Sequence, residues 1–588
     1  MAIADSIPKL FMQFVFMACL ATSVSAQDAA DAIAPEFATG HTSKALVKTK
    51  QNMVVTANPH ATQAGKTILD MGGNAIDAMV AVQLVLGLVE PQSSGLGGGA
   101  FLLYYDANSD HLTTYDGRET APVEAKPDMF LDEAGQPVYF FDAVVGGKSV
   151  GTPGTVKLLY ETHKKHGKLD WQRLFVPALK LAKEGFEVSP RLHALITRSA
   201  ETLYKYPTTR EYFLSEEGVP LFVGTRIFNK EYEATLKAIS EGGADAFYKG
   251  EIAQRIVETV RNAEGNTGYL SIDDLANYKI VERQPVCQFY RGFDVCSMGP
   301  PSSGALTVGQ ILGMLSHYDL AKLGPSDPQS WRLIGDATRL AFADRGLYMA
   351  DSDFVQMPKG LLNSDYLAER SKALGKPKAL TSDEVRAGEP PFDHSQLFAP
   401  DASLELPSTS HFSIVDNDGN LVSMTTTIEN GFGSRLMVEG FLLNNELTDF
   451  SFLPEYKGKP VANRIEPGKR PRSSMAPTIV FKDEKPVLAI GSPGGSRIIP
   501  YVAKTLIAWI DWEMDIQSAI ELPHLVNRFG KFDLEEGTSA EKFKNALEEL
   551  GYETSVRGLN SGLHGIEITS KGLEGGADPR REGLALGN

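Results

Sequence analysis

The stretch from Lys376 to Ser408 loses all hydrophobic periodicity and fills with Pro, Asp, Glu and Ser. A structureless run of that length is uncommon inside a compact protein and needs a reason. Exposed, unpaired backbone of this kind is where chains are cut. The residues beyond it are sharply patterned. His411 to Asp416 alternates as a strand, Asn417-Asp418-Gly419-Asn420 is a turn, and Leu421 to Ile428 is a second strand. Thr409 therefore stands at the head of a hairpin, directly after an expected exposed linker over 376–408. A threonine hydroxyl attacks poorly unless a base takes its proton. At the first position of a chain, the residue's own free amine can be that base. Creating that terminus requires a cut between Ser408 and Thr409. Thr409 Oγ can make it by attacking the Ser408 carbonyl, forming an ester that water then hydrolyses. Alone, the position is weak evidence, since threonines at strand starts are common β-formers.

The rest of the chain supplies a large α/β body. Its 588 residues, 42% hydrophobic and 22% charged, are ordinary for a globular protein with an ample core. Length alone would allow about four domains. Ala61 to Met71 reads as a helix stopped by Gly72-Gly73, and Asn74 can cap a second helix, Ala75 to Val89. That second helix is apolar almost all round, but its length, Asp77 and Gln83 mark a buried core helix rather than a membrane span. Gly95-Leu96-Gly97-Gly98-Gly99 leads into a strand, Ala100 to Tyr105, whereas a phosphate loop must run into a helix. His60 to Thr67 ends in Gly-Lys-Thr but lacks the first Walker glycine. No His-Glu-x-x-His motif occurs. Amphipathic helices are expected at Leu174 to Gly185 and at Ser330 to Ala343. His163 and His166 fall on a Lys-rich helix, whose solvated face explains them better than a metal site.

A formal net charge of −17 argues against a nucleic-acid partner and against an anionic membrane surface. The N-terminus reads as an export signal over residues 1–26. Lys9 is the positive flank, Leu10 to Leu20 the apolar run, and Val24-Ser25-Ala26 the small-residue cleavage site. The run is too short to span a bilayer, so the expectation is a periplasmic or secreted protein without a stable membrane anchor. Two cysteines then remain, Cys287 and Cys296, flanking a hairpin that turns at Arg291-Gly292. They face each other either as a disulfide in an oxidising compartment or as two small buried hydrophobes. No metal site is expected, with no clustered histidines nearby.

Four stretches of the C-terminal part carry a resemblance. They are Thr409-Ser410-His411-Phe412, Asn444-Asn445-Glu446-Leu447-Thr448-Asp449-Phe450, Arg470-Pro471-Arg472-Ser473-Ser474-Met475 and Gly491-Ser492-Pro493-Gly494-Gly495-Ser496-Arg497. Asp116-Gly117-Arg118-Glu119-Thr120-Ala121-Pro122, Asp344-Arg345 and Tyr348-Met349-Ala350-Asp351 extend it towards the N-terminus. Together, and in order, they resemble the γ-glutamyltransferase (glutathione hydrolase) family over nearly the whole chain beyond the signal segment.

The resemblance implies an α/β fold of the N-terminal-nucleophile kind, a four-layer αββα sandwich. It implies a precursor cut into a large subunit, residues 27–408, and a small catalytic subunit, residues 409–588, interleaved in one globule. Thr409 matches the nucleophile and Thr427 a threonine that positions it. Gly494 and Gly495 match the oxyanion hole, where two unobstructed backbone N–H groups suit a tetrahedral oxyanion. Arg118 matches the grip on a substrate α-carboxylate, with Ser473 and Ser474 as hydroxyl partners; the guanidinium fork fits a carboxylate. Asp449 matches the acceptor of an α-ammonium, and Glu446 stands on the same side. Glu429 occupies a position where many members carry Asn. Phe450 to Arg472 stands where some members carry an active-site lid, and is intermediate in length.

In the implied reaction Thr409 attacks the γ-carbonyl of glutathione or another γ-glutamyl donor and keeps the γ-glutamyl group as an ester. Water hydrolyses that ester, or an amino acid or dipeptide accepts the group. Neither a metal nor an organic cofactor is needed. Two other readings share these residues. A cephalosporin or glutaryl acylase of the same superfamily need not bind an α-ammonium. A non-catalytic periplasmic binding protein would require neither nucleophile nor oxyanion hole.

Overall fold

The computed structural model describes residues 39–391, 397–401, 403, 405–406 and 408–588. The expected signal segment, 1–26, lies outside them. Helix Pro59–Asp70 starts at Asn58, whose side chain accepts from the His60 N–H. Asn74 and Asp77 then form a reciprocal capping box for helix Ala75–Val89, every residue of which is buried. The Asp77 carboxylate also accepts from the Lys168 and Leu169 amides, which explains how a core helix keeps an acid.

Among the described residues two seven-stranded sheets dominate. The first runs, in spatial order, Leu584–Gly587, Met53–Thr56, Thr409–Val415, Leu421–Thr427, Gly99–Asp106, His111–Gly117 and Val281–Arg283. The second runs Val47–Thr49, Gly572–Ala577, His564–Thr569, Lys485–Gly491, Thr478–Lys482, Phe293–Ser297 and Val286–Tyr290. Both sheets are antiparallel throughout.

The Thr409 hairpin lies at the centre of the first sheet, in the register Thr409↔Thr427. Its two faces differ because side chains alternate along a strand. Phe412, Ile414, Val422 and Met424 join the apolar core built around helix Ala75–Val89. The opposite face turns to the second sheet, where Ser413 Oγ donates to the His564 carbonyl and Ser423 Oγ to the Ile490 carbonyl. Helices Gly304–Leu315, Pro328–Tyr348 and Ile498–Ile510 share a second core with the second sheet. Helices, two stacked sheets and helices again make the four layers that the resemblance implied. No helix among the described residues is long and apolar enough to cross a membrane.

Three expectations meet the structure differently. The described residues at the end of the linker are not exposed: Glu405, Leu406 and Ser408 are 7%, 9% and 2% accessible. Their backbone lacks regular structure, but the Glu405 and Ser408 side chains and the Leu406 amide are held by distant parts of the chain. His163 and His166 are half-buried rather than solvated, because His163 approaches Asp77 at 3.4 Å and His166 meets the Tyr115 hydroxyl at 2.6 Å. Cys287 and Cys296, which left two options open, are directly paired in their hairpin and bonded.

Candidate active site

Thr409 is 4% accessible at the first position of its strand. Its hydroxyl lies 3.3 Å from that of Thr427, the residue opposite in register. Thr427 Oγ1 in turn donates to the Ser408 carbonyl at 3.0 Å and accepts from the Glu429 amide at 2.8 Å. Ser408 is fixed from its other side, since its hydroxyl donates to the Gln92 carbonyl at 2.6 Å. Arg581 Nη1 donates to the Thr409 carbonyl. The bond between Ser408 and Thr409 is thus pinned on both sides, with a hydroxyl aimed at its carbonyl oxygen.

Removing that hydroxyl while keeping the shape tests its part. Thr427→Val is expected to slow cleavage by about 100-fold, the usual loss on deleting one oxyanion donor. The time course of subunit appearance on a denaturing gel measures it. A wild-type rate would remove Thr427 from the account.

Gly494 and Gly495 form the turn before helix Ile498–Ile510, with φ of +140° and +57°. A Cβ on Gly494 would lie 2.8 Å from the Tyr501 ring, and one on Gly495 the same distance from the Leu406 carbonyl oxygen. Both the positive φ and the close approach therefore demand glycine. The N-terminus of the helix beyond the turn favours negative charge. Gly495→Ala is expected to reduce cleavage at least about tenfold, because strain and contact fall on the same atoms. Normal cleavage of that variant would contradict the tight fit of Leu406 against the turn.

Nine of the proposed residues line one cavity: Arg118, Thr409, Thr427, Glu429, Glu446, Asp449, Ser473, Ser474 and Gly495. Gly494 adjoins it through the turn. Cys287 and Cys296 lie elsewhere, on the edge hairpin of the second sheet. The free space is only about 20 Å³, and Glu405 and Leu406 stand among its walls. Arg118 is fully buried and ion-paired with Glu446 and, at 2.5 Å, with Asp449. Its Nε donates to the Pro471 carbonyl, and Nη2, besides meeting Asp449, donates to the Arg472 carbonyl.

The acids are crowded. Burial pushes Glu446, Asp449 and Glu429 well above the ordinary carboxylate range; Arg118 opposes this for the first two, and Asp449 adds to it for Glu429. Glu119, behind Arg118, is pushed up to about 8, also mainly by burial. Glu429 accepts from Asn445 Nδ2 at 2.5 Å and from the Leu406 amide at 3.2 Å. A site that strains four carboxylates in this way is built to receive positive charge. Residues 450–472 fold beside it, with Phe452 stacked on Phe130 and the Asn463 side chain donating to the Asp449 carbonyl.

Sequence reasoning missed Glu119, Arg345, Glu405, Leu406 and Gln92 as parts of the site. Glu119 and Arg345 stand inside family-like motifs, so their signal was present. Glu405, Leu406 and Gln92 carried none, because each acts through a backbone atom or a distant partner.

Residues 61–588 match the family described as Gamma-glutamyltranspeptidase. The chain is 38% identical over 551 residues to a glutathione hydrolase proenzyme of Bacillus subtilis strain 168, covering 92% of each. It is 37% identical over 550 residues to the glutathione hydrolase proenzyme of Escherichia coli K12, covering 91% of each. Among solved structures it is similar to a cephalosporin acylase from Bacillus halodurans, with a TM-score of 0.81 and 25% identity over 94% of this chain and 98% of that one. A gamma-glutamyltranspeptidase from Helicobacter pylori aligns at a TM-score of 0.55 and 33% identity, over 59% of this chain and 97% of that one.

Proposed function

Because this chain belongs to the gamma-glutamyltranspeptidase family, we propose that Thr409 both releases itself from Ser408 and serves as the nucleophile afterwards. The chain is a hydrolase and transferase of γ-glutamyl groups, made as a precursor that is divided into two subunits. The observation that carries the residue assignment is the convergence of the Thr409 hydroxyl, the Thr427 hydroxyl and the Ser408 carbonyl. In the first step Thr409 Oγ bonds to the Ser408 carbonyl carbon. Its proton passes to Thr427 Oγ1, which gives its own to the carbonyl oxygen. As the C–N bond breaks, the proton on that oxygen passes to the Thr409 nitrogen, which leaves an ester and a free Thr409 amine, and water cleaves the ester. The division falls between a large subunit, 27–408, and a small one, 409–588.

The freed amine then acts as base for the same hydroxyl. Glutathione or a related γ-glutamyl amide presents its γ-carbonyl to Thr409, with the oxyanion at the Gly494–Gly495 turn. Arg118, Ser473 and Ser474 take the α-carboxylate. Asp449, Glu446 and Glu429 take the α-ammonium, whose charge relieves the burial that raises their pKa values. Water, an amino acid or a dipeptide accepts the γ-glutamyl group. Export to the periplasm or the medium completes the reading.

The likeness to a cephalosporin acylase keeps a second reading in view, and the acids separate the two, since a glutaryl group brings no ammonium. Kinetics on γ-glutamyl and glutaryl anilides decide between them. A preference of at least about 100-fold in kcat/KM for the γ-glutamyl compound is expected, from the penalty for leaving buried charges unpaired. A glutaryl preference would overturn the γ-glutamyl reading.

A further inference from the structure

Glu405 belongs to the chain upstream of the proposed cut, yet its carboxylate lies inside the cavity. It accepts from the Ser474 hydroxyl and pairs with Arg345, and Arg472 Nε lies 3.5 Å away. Arg345 also donates to Ser474 Oγ and to Ser303 Oγ, both at 2.8 Å. Arg345, Arg472, Ser474 and Glu405 are 4%, 2%, 3% and 7% accessible, so this is a built and desolvated anion corner. Burial would raise the Glu405 carboxyl, but Arg345, Arg472 and Ser474 outweigh it and hold the group at about 2.

The segment that carries Glu405 is in the way of any substrate. The Leu406 carbonyl presses on the Gly495 turn, and its amide occupies Glu429. Once the bond after Ser408 is cut, this tail is free at one end and must withdraw before a substrate enters. Arg345 then loses the acid it is paired with, and a buried guanidinium without a counter-charge is strongly disfavoured. Arg472 is also paired with Asp401, at 2.8 Å.

We propose that Arg345, with Arg472 and Ser474, forms a carboxylate subsite that Glu405 fills before cleavage and a substrate's α-carboxylate fills afterwards, the freed tail remaining a tethered competitor for it. This rests on the γ-glutamyl reading. It makes Arg345 a binding residue beside Arg118, and Glu405 an internal stand-in for substrate. The precursor is thereby closed to substrate until it has cut itself.

The test uses the cleaved two-subunit protein carrying Glu405→Gln, so that its own tail competes poorly. A fluorescent octapeptide of residues 401–408 is titrated against it by polarisation, beside the same peptide bearing Glu405→Gln. The unmodified peptide is expected to bind at least about tenfold tighter, L-glutamate to displace it, and Arg345→Lys in the protein to weaken both. Absent binding, equal binding of the two peptides, or binding that L-glutamate does not displace would overturn the proposal. Failure of the γ-glutamyl reading alone looks different: the peptide binds and is displaced, but better by glutarate than by L-glutamate. Should the Glu405→Gln chain stay uncut, the wild-type two-subunit protein serves, and a rise in apparent KM for a γ-glutamyl anilide caused by the unmodified peptide alone is expected. An unchanged KM would refute it.

Discussion

Thr409→Ala is expected to remain a single uncut chain and to lose γ-glutamyl transfer by at least about 10⁴-fold, as when a nucleophile is removed from a concerted site. On the proposed mechanism one hydroxyl has two tasks. It faces Thr427, the residue opposite in register, which donates to the Ser408 carbonyl. An external protease is a poor substitute, because Ser408 and Thr409 are 2% and 4% accessible between two sheets. Thr409→Ser keeps a hydroxyl and is expected to cleave, more slowly. Mass spectrometry of each purified variant separates these outcomes, and a normally divided Thr409→Ala protein would remove the residue from both roles.

The second large effect is expected at Arg118. This guanidinium is 1% accessible and neutralises Glu446 and Asp449 together, while Glu119 adds a further acid beside it. Arg118→Gln leaves these carboxylates unpaired in the interior, which is expected to destabilise the protein by about 3–5 kcal/mol. Arg118→Lys restores a charge but not the fork, and cannot serve both acids and two carbonyls at once. Its kcat/KM on a γ-glutamyl anilide is expected to fall about 100-fold or more, with most of the loss in KM. Thermal unfolding of both variants, beside the kinetics, distinguishes substrate grip from fold support. Arg118→Lys acting within about twofold of wild type would mean that the site does not depend on the fork.

The features legible in the sequence were local. The capping pair Asn74 and Asp77, the turn at Arg291-Gly292 and the hairpin from Thr409 to Thr427 all carry their signal within a few residues. The family motifs brought together residues far apart in sequence, and nine of those proposed for the site line one cavity. The end of the linker reads as exposed in the sequence because its order comes from far away. Glu405 is tied to Arg345, 60 residues earlier, and to Ser474, 69 residues later. Leu406 contributes a backbone amide to Glu429, and Gln92 a backbone carbonyl to Ser408. Backbone atoms are the same in every residue, so such contacts leave no compositional trace. His163 and His166 read as solvated for a related reason. Their lysine neighbours are exposed, but the helix turns the imidazoles towards Asp77 and Tyr115.

The central claim is that this chain cuts itself at Thr409, and the intact mass of the purified protein under denaturing conditions tests it most directly. Two fragments are predicted, the smaller with the mass of residues 409–588 and an N-terminal threonine. A single uncut chain, or a division at any other bond, would contradict the account.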